Sequence, residues 1–266
     1  MSNYNEDVRC VDLRLKFNED EVNYDKWRPT YVPELFDEII QYSGINETKK
    51  ALEIGIGTGQ ATLPILKTGC KLTAVEIGER LAEYSRQKFA DFSNFEIFNI
   101  AFEKFDCKSN TFDLIYSATA FHWIPEHIGY IKAYDLLKSG GALALFWNHP
   151  FVNRDDDPLH LEIQKAYDKY WPYDRKSVEF NKSNCVVIKE TIRHFGFINV
   201  FSKLYFKTRI FSAEGYLALL NTYSDHRALP VNTKNKLENE IKSAINDFGG
   251  KLHVYDTMDL YLAQKP

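Results

Sequence analysis

Three glycines at alternate positions, Gly55, Gly57 and Gly59, follow one carboxylate, Glu53, and precede another, Glu76. Ala51, Leu52 and Ile54 make the short apolar run of a buried strand, which breaks into the glycines. Glycine visits positive φ without a steric cost, so such a loop turns sharply and lets backbone approach a ligand closer than any side chain allows. Glu76 stands where a second strand would end, the place from which an acid accepts hydrogen bonds from ribose hydroxyls in an open α/β sheet. The residues therefore describe a pocket for something built on adenosine.

The spacing narrows the ligand. A dinucleotide fingerprint reads G-x-G-x-x-G, its last glycine opening the helix that receives a pyrophosphate, and here Gln60 occupies that position. A carboxylate at Glu53 would repel a pyrophosphate but suits an ammonium. The pattern E-x-G-x-G-x-G resembles the first motif of the class I S-adenosylmethionine-dependent methyltransferases, whose cofactor carries a zwitterionic methionine tail. The alternative for Glu53 is a strand-end carboxylate satisfied by loop amides.

Further segments resemble the small-molecule subgroup similar to trans-aconitate methyltransferase. Tyr24, Trp27, Arg28, Pro29 and Tyr31 resemble its N-terminal Y-x-x-x-R-P-x-Y segment; Ala101, Phe102, Glu103 and Phe105 resemble the loop that packs on adenine. Phe112 to Ile115 resemble its fourth strand, and Ser117, Ala118, Phe121, His122 and Trp123 its A-x-H-W stretch beside the cofactor. Thr222 to His226 and Tyr261 to Ala263 resemble its tail. The resemblance implies S-adenosyl-L-methionine as cofactor, held by Glu53, Gly55, Gly57, Gly59, Glu76 and Ile77, by Ala101 and Phe102, by Ser117 and Ala118, and by Tyr24, Arg28 and Tyr31 closing over the methionine end. It places His122, Trp123, Trp147, Asn148, Tyr223 and His226 around the acceptor. One departure is Asn99, where many relatives carry an acid for the adenine amino group; Glu103 follows four residues later.

These residues need a scaffold, and the hydrophobic pattern supplies it. Apolar segments at 51–54, 71–77, 95–99, 112–118 and 142–147 alternate with helical periodicity at 34–43, 61–67, 80–89 and 126–137, the last closed by Ser139, Gly140 and Gly141. Such alternation indicates a parallel sheet covered on both faces. A sixth strand at 200–211 and a last at 254–262 complete an α/β, doubly wound, mostly parallel seven-stranded sheet with a helical cap. The division expected is an N-terminal cap and first helix at 1–44, a cofactor-binding core at 45–150, a cap insertion at 151–195 lying over the carboxyl ends of the strands, and a C-terminal part at 196–266 that completes the sheet.

The whole chain bounds the partners. Its 266 residues suffice for one full α/β domain and an appendage of roughly 100 residues. A formal net charge of -4 argues against nucleic acid as the main partner. Met1 to Asp7 do not read as a signal peptide, no stretch is long enough to span a bilayer, and Cys10, Cys70, Cys107 and Cys185 are too dispersed for a disulfide framework or a zinc site. No metal is expected: Asp155, Asp156 and Asp157 read as a solvated loop. A cytoplasmic protein with free thiols follows; its oligomeric state is left open.

Methyl transfer from a sulfonium is an in-line displacement, driven largely by holding acceptor and methyl together. An ionised carboxylate needs only orientation, whereas a phenol or amine benefits from a base. His122 is the candidate catalytic base, against the reading that it and Trp123 only wall the pocket. The expected activity is methylation of a small molecule, on a carboxylate or hydroxyl oxygen. The alternatives are carbon or nitrogen methylation of a quinone precursor, sterol-like compound or amine and, further away, an NAD-dependent oxidoreductase or a non-catalytic cofactor-binding protein.

Overall fold

The apolar runs become neighbouring strands of one sheet in the computed structural model, which describes residues 21–171 and 178–266. The leader at 1–7, Cys10 and the aromatic and proline pair at 172–173 lie outside the described residues. β1 (Lys50–Ile54), β2 (Lys71–Glu76), β3 (Phe95–Asn99), β4 (Phe112–Ala118), β5 (Leu137–Phe151), β6 (Ile198–Phe211) and β7 (Leu252–Gln264) are arranged in the order β3-β2-β1-β4-β5-β7-β6. β7 alone runs against the rest, antiparallel to both β5 and β6. From β1 the chain winds outward to β2 and β3 on one side and then returns to β4 on the other, and such a switch point opens a crevice at the strands' carboxyl ends.

Helices cover both faces. On one, Leu35 and Ile39 of α2 (Pro33–Ser43) and Ile65 of α3 (Thr62–Leu66) pack with Leu72, Tyr116, Phe146 and Leu260. On the other, Tyr130 and Ala133 of α5 (Glu126–Leu136) and Ile192 of α7 (Cys185–His194) pack with Leu52, Ile115, Leu143 and Tyr261. Successive strand residues point to opposite faces, so a strand covered twice is apolar throughout. A third cluster joins α6 (Pro158–Tyr170), α8 (Ala213–Leu220) and α10 (Val231–Asp247) around Phe211, Leu252 and Val254. These last residues mark the end of β6 and the start of β7, so the helices stand over the carboxyl ends of the parallel strands.

Three local expectations are corrected. Ser139, Gly140 and Gly141 do not terminate a helix: α5 ends at Leu136 and β5 begins at the next residue. Gly140, at φ 76°, sits where the β4–β5 register slips between Phe112 and Leu114, a β-bulge inside the strand. The polar stretch after Phe151 contains α6, with Pro158 in the first turn and Asp157 accepting from the Leu159 and His160 amides. Asp157 is thus a helix cap. The segment before Pro29 contains α1 (Glu21–Trp27), whose side chains are all at least partly exposed, which is why no apolar stripe announces it. α4 (Glu79–Lys88) follows β2, and α9 (Ser224–Arg227) follows α8.

Candidate active site

The floor of the site is backbone. Gly57 lies at φ 58°, and a Cβ there would touch the Tyr24 ring at 3.5 Å and Gln60 Oε1 at 3.9 Å. The Gly57 amide donates to Glu76 Oε2 and the Gly78 amide to Oε1, each at 2.9 Å. Burial raises the Glu76 pKa, and these amides oppose it. Each carboxylate oxygen keeps a further lone pair for a ligand hydroxyl.

Glu76 opens on a cavity of about 410 Å³, walled below by Gly55, Gly57, Ile77, Ala101, Phe102 and Ala118 and above by Tyr24, Arg28, His122, Trp123 and Tyr223. A chamber of about 60 Å³ shares Tyr24, Arg28, Gly55, Gly57, Thr119 and Tyr223 with it and adds Tyr31 and Asn148. These residues fit an adenosine with a zwitterionic tail: an acid between loop amides, an apolar slot at Ala101 and Phe102, and an arginine beside the smaller chamber.

The roof is made of side chains. The Arg28 guanidinium lies between the rings of Tyr24 and Tyr223, at 4.7 and 4.6 Å, and its Nη2 donates to the Thr222 carbonyl at 2.7 Å. α1 carries Tyr24 and is pinned to α4 by Asp25, which pairs with Lys88 at 2.6 Å and accepts from the Tyr84 hydroxyl at 3.0 Å, and by Glu21 with Arg80 at 2.9 Å. Tyr31 is buried, its hydroxyl 2.6 Å from Thr119 Oγ1 and its ring edge-on to Phe146 at 4.8 Å. Thr119 holds φ 52°, an outlier for a β-branched residue, at the tip of β4. Its hydroxyl oxygen also accepts from the Asn148 amide at 3.2 Å.

His122 occupies the short turn Phe121–Trp123 after β4. Its Nδ1 accepts from the Trp147 indole N–H at 2.9 Å. His122 is solvent-exposed, yet crowding by the surrounding wall, followed by the nearby His149 and Arg28, lowers its pKa to about 4, so the ring is neutral at pH 7.

Several expected site residues stand elsewhere. Glu53 lies behind the glycine loop, not on the cavity wall: it pairs across the strands with Tyr116, and its Oε2 accepts from Tyr116 at 2.8 Å and Thr62 at 2.7 Å. Burial pushes its pKa up to about 8. Ser117 is fully buried and donates to the Ile54 carbonyl, tying β4 to β1. Gly59 is required by packing, since a Cβ there would come within 2.3 Å of the Phe89 ring. Trp147 reaches the site only through His122. His226 is buried in the cap, its Nε2 2.8 Å from the Tyr167 hydroxyl and its Nδ1 3.1 Å from Asp225. Asn99 donates to the carbonyls of Glu76 and Ile77, at 2.9 and 3.1 Å, and so braces the strand end, while Glu103 lines the cavity.

Sequence reasoning missed Thr119, Ser224 and Asp225 on the wall, and behind it two buried acids of β7. Asp259 lies 3.0 Å from His149 Nε2, and Asp256 pairs with Arg209 and accepts from the Asn148 amide group at 2.7 Å. The acids were legible as charges interrupting an apolar strand; Thr119 carries no such mark. Among the described residues no cluster of histidine, cysteine and acidic side chains suits a metal, and no helix is long and apolar enough to cross a membrane.

The chain is similar to known methyltransferases. Residues 52–145 match the family model described as "Methyltransferase domain". The chain is 25% identical over 232 residues to Uncharacterized methyltransferase C25B8.09 of Schizosaccharomyces pombe, covering 86% of each chain. It is 31% identical over 170 residues to Putative methyltransferase DDB_G0268948 of Dictyostelium discoideum, covering 62% of each. Among solved structures, YcgJ protein from Bacillus subtilis superposes with a TM-score of 0.55 at 13% identity, over 87% of this chain and 98% of that one. Phosphoethanolamine N-methyltransferase 2 of Haemonchus contortus gives 0.53 at 14% identity, over 94% and 57%.

Proposed function

We propose that this S-adenosylmethionine-dependent methyltransferase methylates an oxygen, carboxylate or hydroxyl, of a small molecule. The observation that carries the reading is the shape and lining of the cavity. It is a chamber of about 410 Å³, of the size and mixed character of small-ligand sites, roofed by the aromatic side chains of Tyr24, Trp123 and Tyr223 together with Arg28 and His122. A duplex has no access to such a space, and the net charge of -4 offers a polyanion little attraction. The reduced thiols of Cys70, Cys107 and Cys185 support a cytoplasmic setting.

S-adenosylmethionine supplies, when bound, an electrophilic methyl group on a leaving sulfur. The residues supply position. Glu76 would accept from the ribose, Ala101 and Phe102 would hold the adenine, and Arg28, beside the smaller chamber and flanked by Tyr24 and Tyr223, would bind the tail carboxylate. Trp123 and His122 wall the space left for the acceptor. An ionised oxygen needs no proton removed there, so orientation alone is enough.

The test is a transfer assay with methyl-labelled cofactor against carboxylic acids, alcohols, phenols and amines. Label passing to an acid or alcohol, as base-labile ester or as ether, is expected. Transfer confined to amines or carbon acids would overturn the choice of oxygen.

A further inference from the structure

Two histidines, His149 on β5 and His122 in the turn after β4, are tied down through opposite nitrogens. His149 Nε2 lies 3.0 Å from Asp259 Oδ1, and Asp259 is fully buried, also accepting from the Trp147 amide at 3.1 Å and the Tyr261 hydroxyl at 2.8 Å. A carboxylate only accepts, so His149 carries a proton on Nε2. His149 stacks on Phe180 with ring centroids 3.9 Å apart and is not part of the cavity wall. His122 is part of that wall, and its Nδ1 receives the Trp147 indole N–H. An indole only donates, so Nδ1 keeps its lone pair and the neutral ring carries its proton on Nε2.

We infer that Trp147 is a positioning residue that locks His122 as an Nε2–H donor to the methyl acceptor, so that the site selects a lone-pair-rich oxygen over a protonated amine. The inference rests on the proposed function for the acceptor's presence, but the lock itself does not. Trp147 is held at both ends of its hydrogen bonding: the backbone by Asp259, the indole by His122. Its ring also meets Tyr261 edge-on at 5.8 Å. For His122 to take a proton at Nε2 it would first have to carry its hydrogen on Nδ1, setting that hydrogen against the indole N–H. The same conflict faces an ammonium brought to Nε2–H. The charged and titratable neighbours are Arg28 and His149, which disfavour a cation, and on the cavity wall Glu76, Glu103, Asp225, Tyr24 and Tyr223.

The lock is read by two-bond ¹H–¹⁵N correlation spectra of the ¹⁵N-labelled full chain, which distinguish the tautomers of each histidine. His122 is expected as the Nε2–H form, unchanged from about pH 5.5 to 8; Trp147→Phe should mix the tautomers and bring a titration into that range. An Nδ1–H form in the wild type, or a tautomer indifferent to Trp147→Phe, would overturn the lock whatever the substrate. The selection is read on the acceptor found in the transfer screen. His122→Gln, whose amide N–H replaces Nε2–H, should keep kcat/KM within about fivefold, and His122→Ala should lose roughly 10- to 100-fold, as for a lost hydrogen bond to a charged group. Equal activity of the alanine variant, or loss in the glutamine variant equal to that in alanine, would overturn the donor role. A screen in which only amines react would overturn the proposed function together with the selection, while the spectra still decide the lock.

Discussion

The floor and the roof of the cavity are built by different means. The floor is strand ends and a glycine loop between Ile54 and Gln60, with Glu76 held by two backbone amides. The roof is Tyr24 and Arg28 from α1, the turn that carries His122, and Tyr223 beside α9, joined by ring stacking, one arginine and hydroxyl contacts. Backbone geometry is set by a few local residues and tolerates no side chain where the ligand passes. A roof of side chains admits substitution one residue at a time. On the proposed function, the floor is therefore expected to decide cofactor binding all or nothing, and the roof to choose the acceptor by degrees.

The sharpest break in that comparison is Gly57→Val. The φ of 58° and a Cβ set against the Tyr24 ring should together reduce S-adenosylhomocysteine affinity by roughly 100-fold or more. Titration calorimetry on a folded variant checks this, and unaltered binding would move the ligand off the floor. Gly59→Val, whose Cβ meets Phe89 at 2.3 Å, should instead lower the melting temperature.

Glu76→Ala comes next. Losing the ribose acceptor should cost about 1.5–3 kcal/mol of S-adenosylhomocysteine binding, read in the same titration. An unchanged Kd would mean that the carboxylate serves only the Gly57 and Gly78 amides.

On the roof, Arg28→Lys should weaken S-adenosylhomocysteine by roughly 5- to 10-fold, because an ammonium cannot lie flat between two rings and still present a fork. Binding of 5′-methylthioadenosine, which lacks the amino acid tail, should hold steady. Equal losses for both ligands would place Arg28 away from the tail.

The smallest effect on binding belongs to Glu53→Gln. With Glu53 behind the loop, S-adenosylhomocysteine affinity should stay within about threefold; a loss like that of Glu76→Ala would restore a direct role. Stability should differ. The folded pKa of about 8 lies above the unfolded value, so the native state keeps a proton that the unfolded chain has released. That stability is fully present below the unfolded pKa and lost as pH rises through the folded one. Glutamine does not ionise, so the melting temperature of the variant relative to wild type should climb between about pH 5 and 8; a difference independent of pH would show that Glu53 is not buried as a neutral acid.

Legibility in the sequence follows the same division. Glycine and apolar periodicity act over a few residues, and from them the alternation of strands and helices in the first half, the loop and Glu76 were readable. Side-chain direction was less so. Glu53 and Ser117 sit in the motif but, by the twofold alternation of a strand, Glu53 shares a face with its cross-strand partner Tyr116 while Ser117 takes the opposite face and donates to the Ile54 carbonyl. His226 looked like a site residue by proximity in sequence to Tyr223, yet one helical turn carries it into the cap against Tyr167. α1 was obscured because its partners, Lys88, Arg80 and Phe211, lie far along the chain.

Left to itself, the sequence determined the seven-stranded α/β scaffold, the glycine loop after β1 and the acid at the tip of β2 that opens on the cavity. These depend on backbone freedom, burial and spacing within some 25 residues, which are local quantities. Only the tertiary structure decided which nitrogen of His122 receives the Trp147 indole, that Thr119 is forced to positive φ, and that an arginine from the N-terminal segment is stacked on a tyrosine almost 200 residues away. Hydrogen-bond direction and ring stacking depend on which partner the fold brings within about 3–5 Å, and no local pattern encodes that distance.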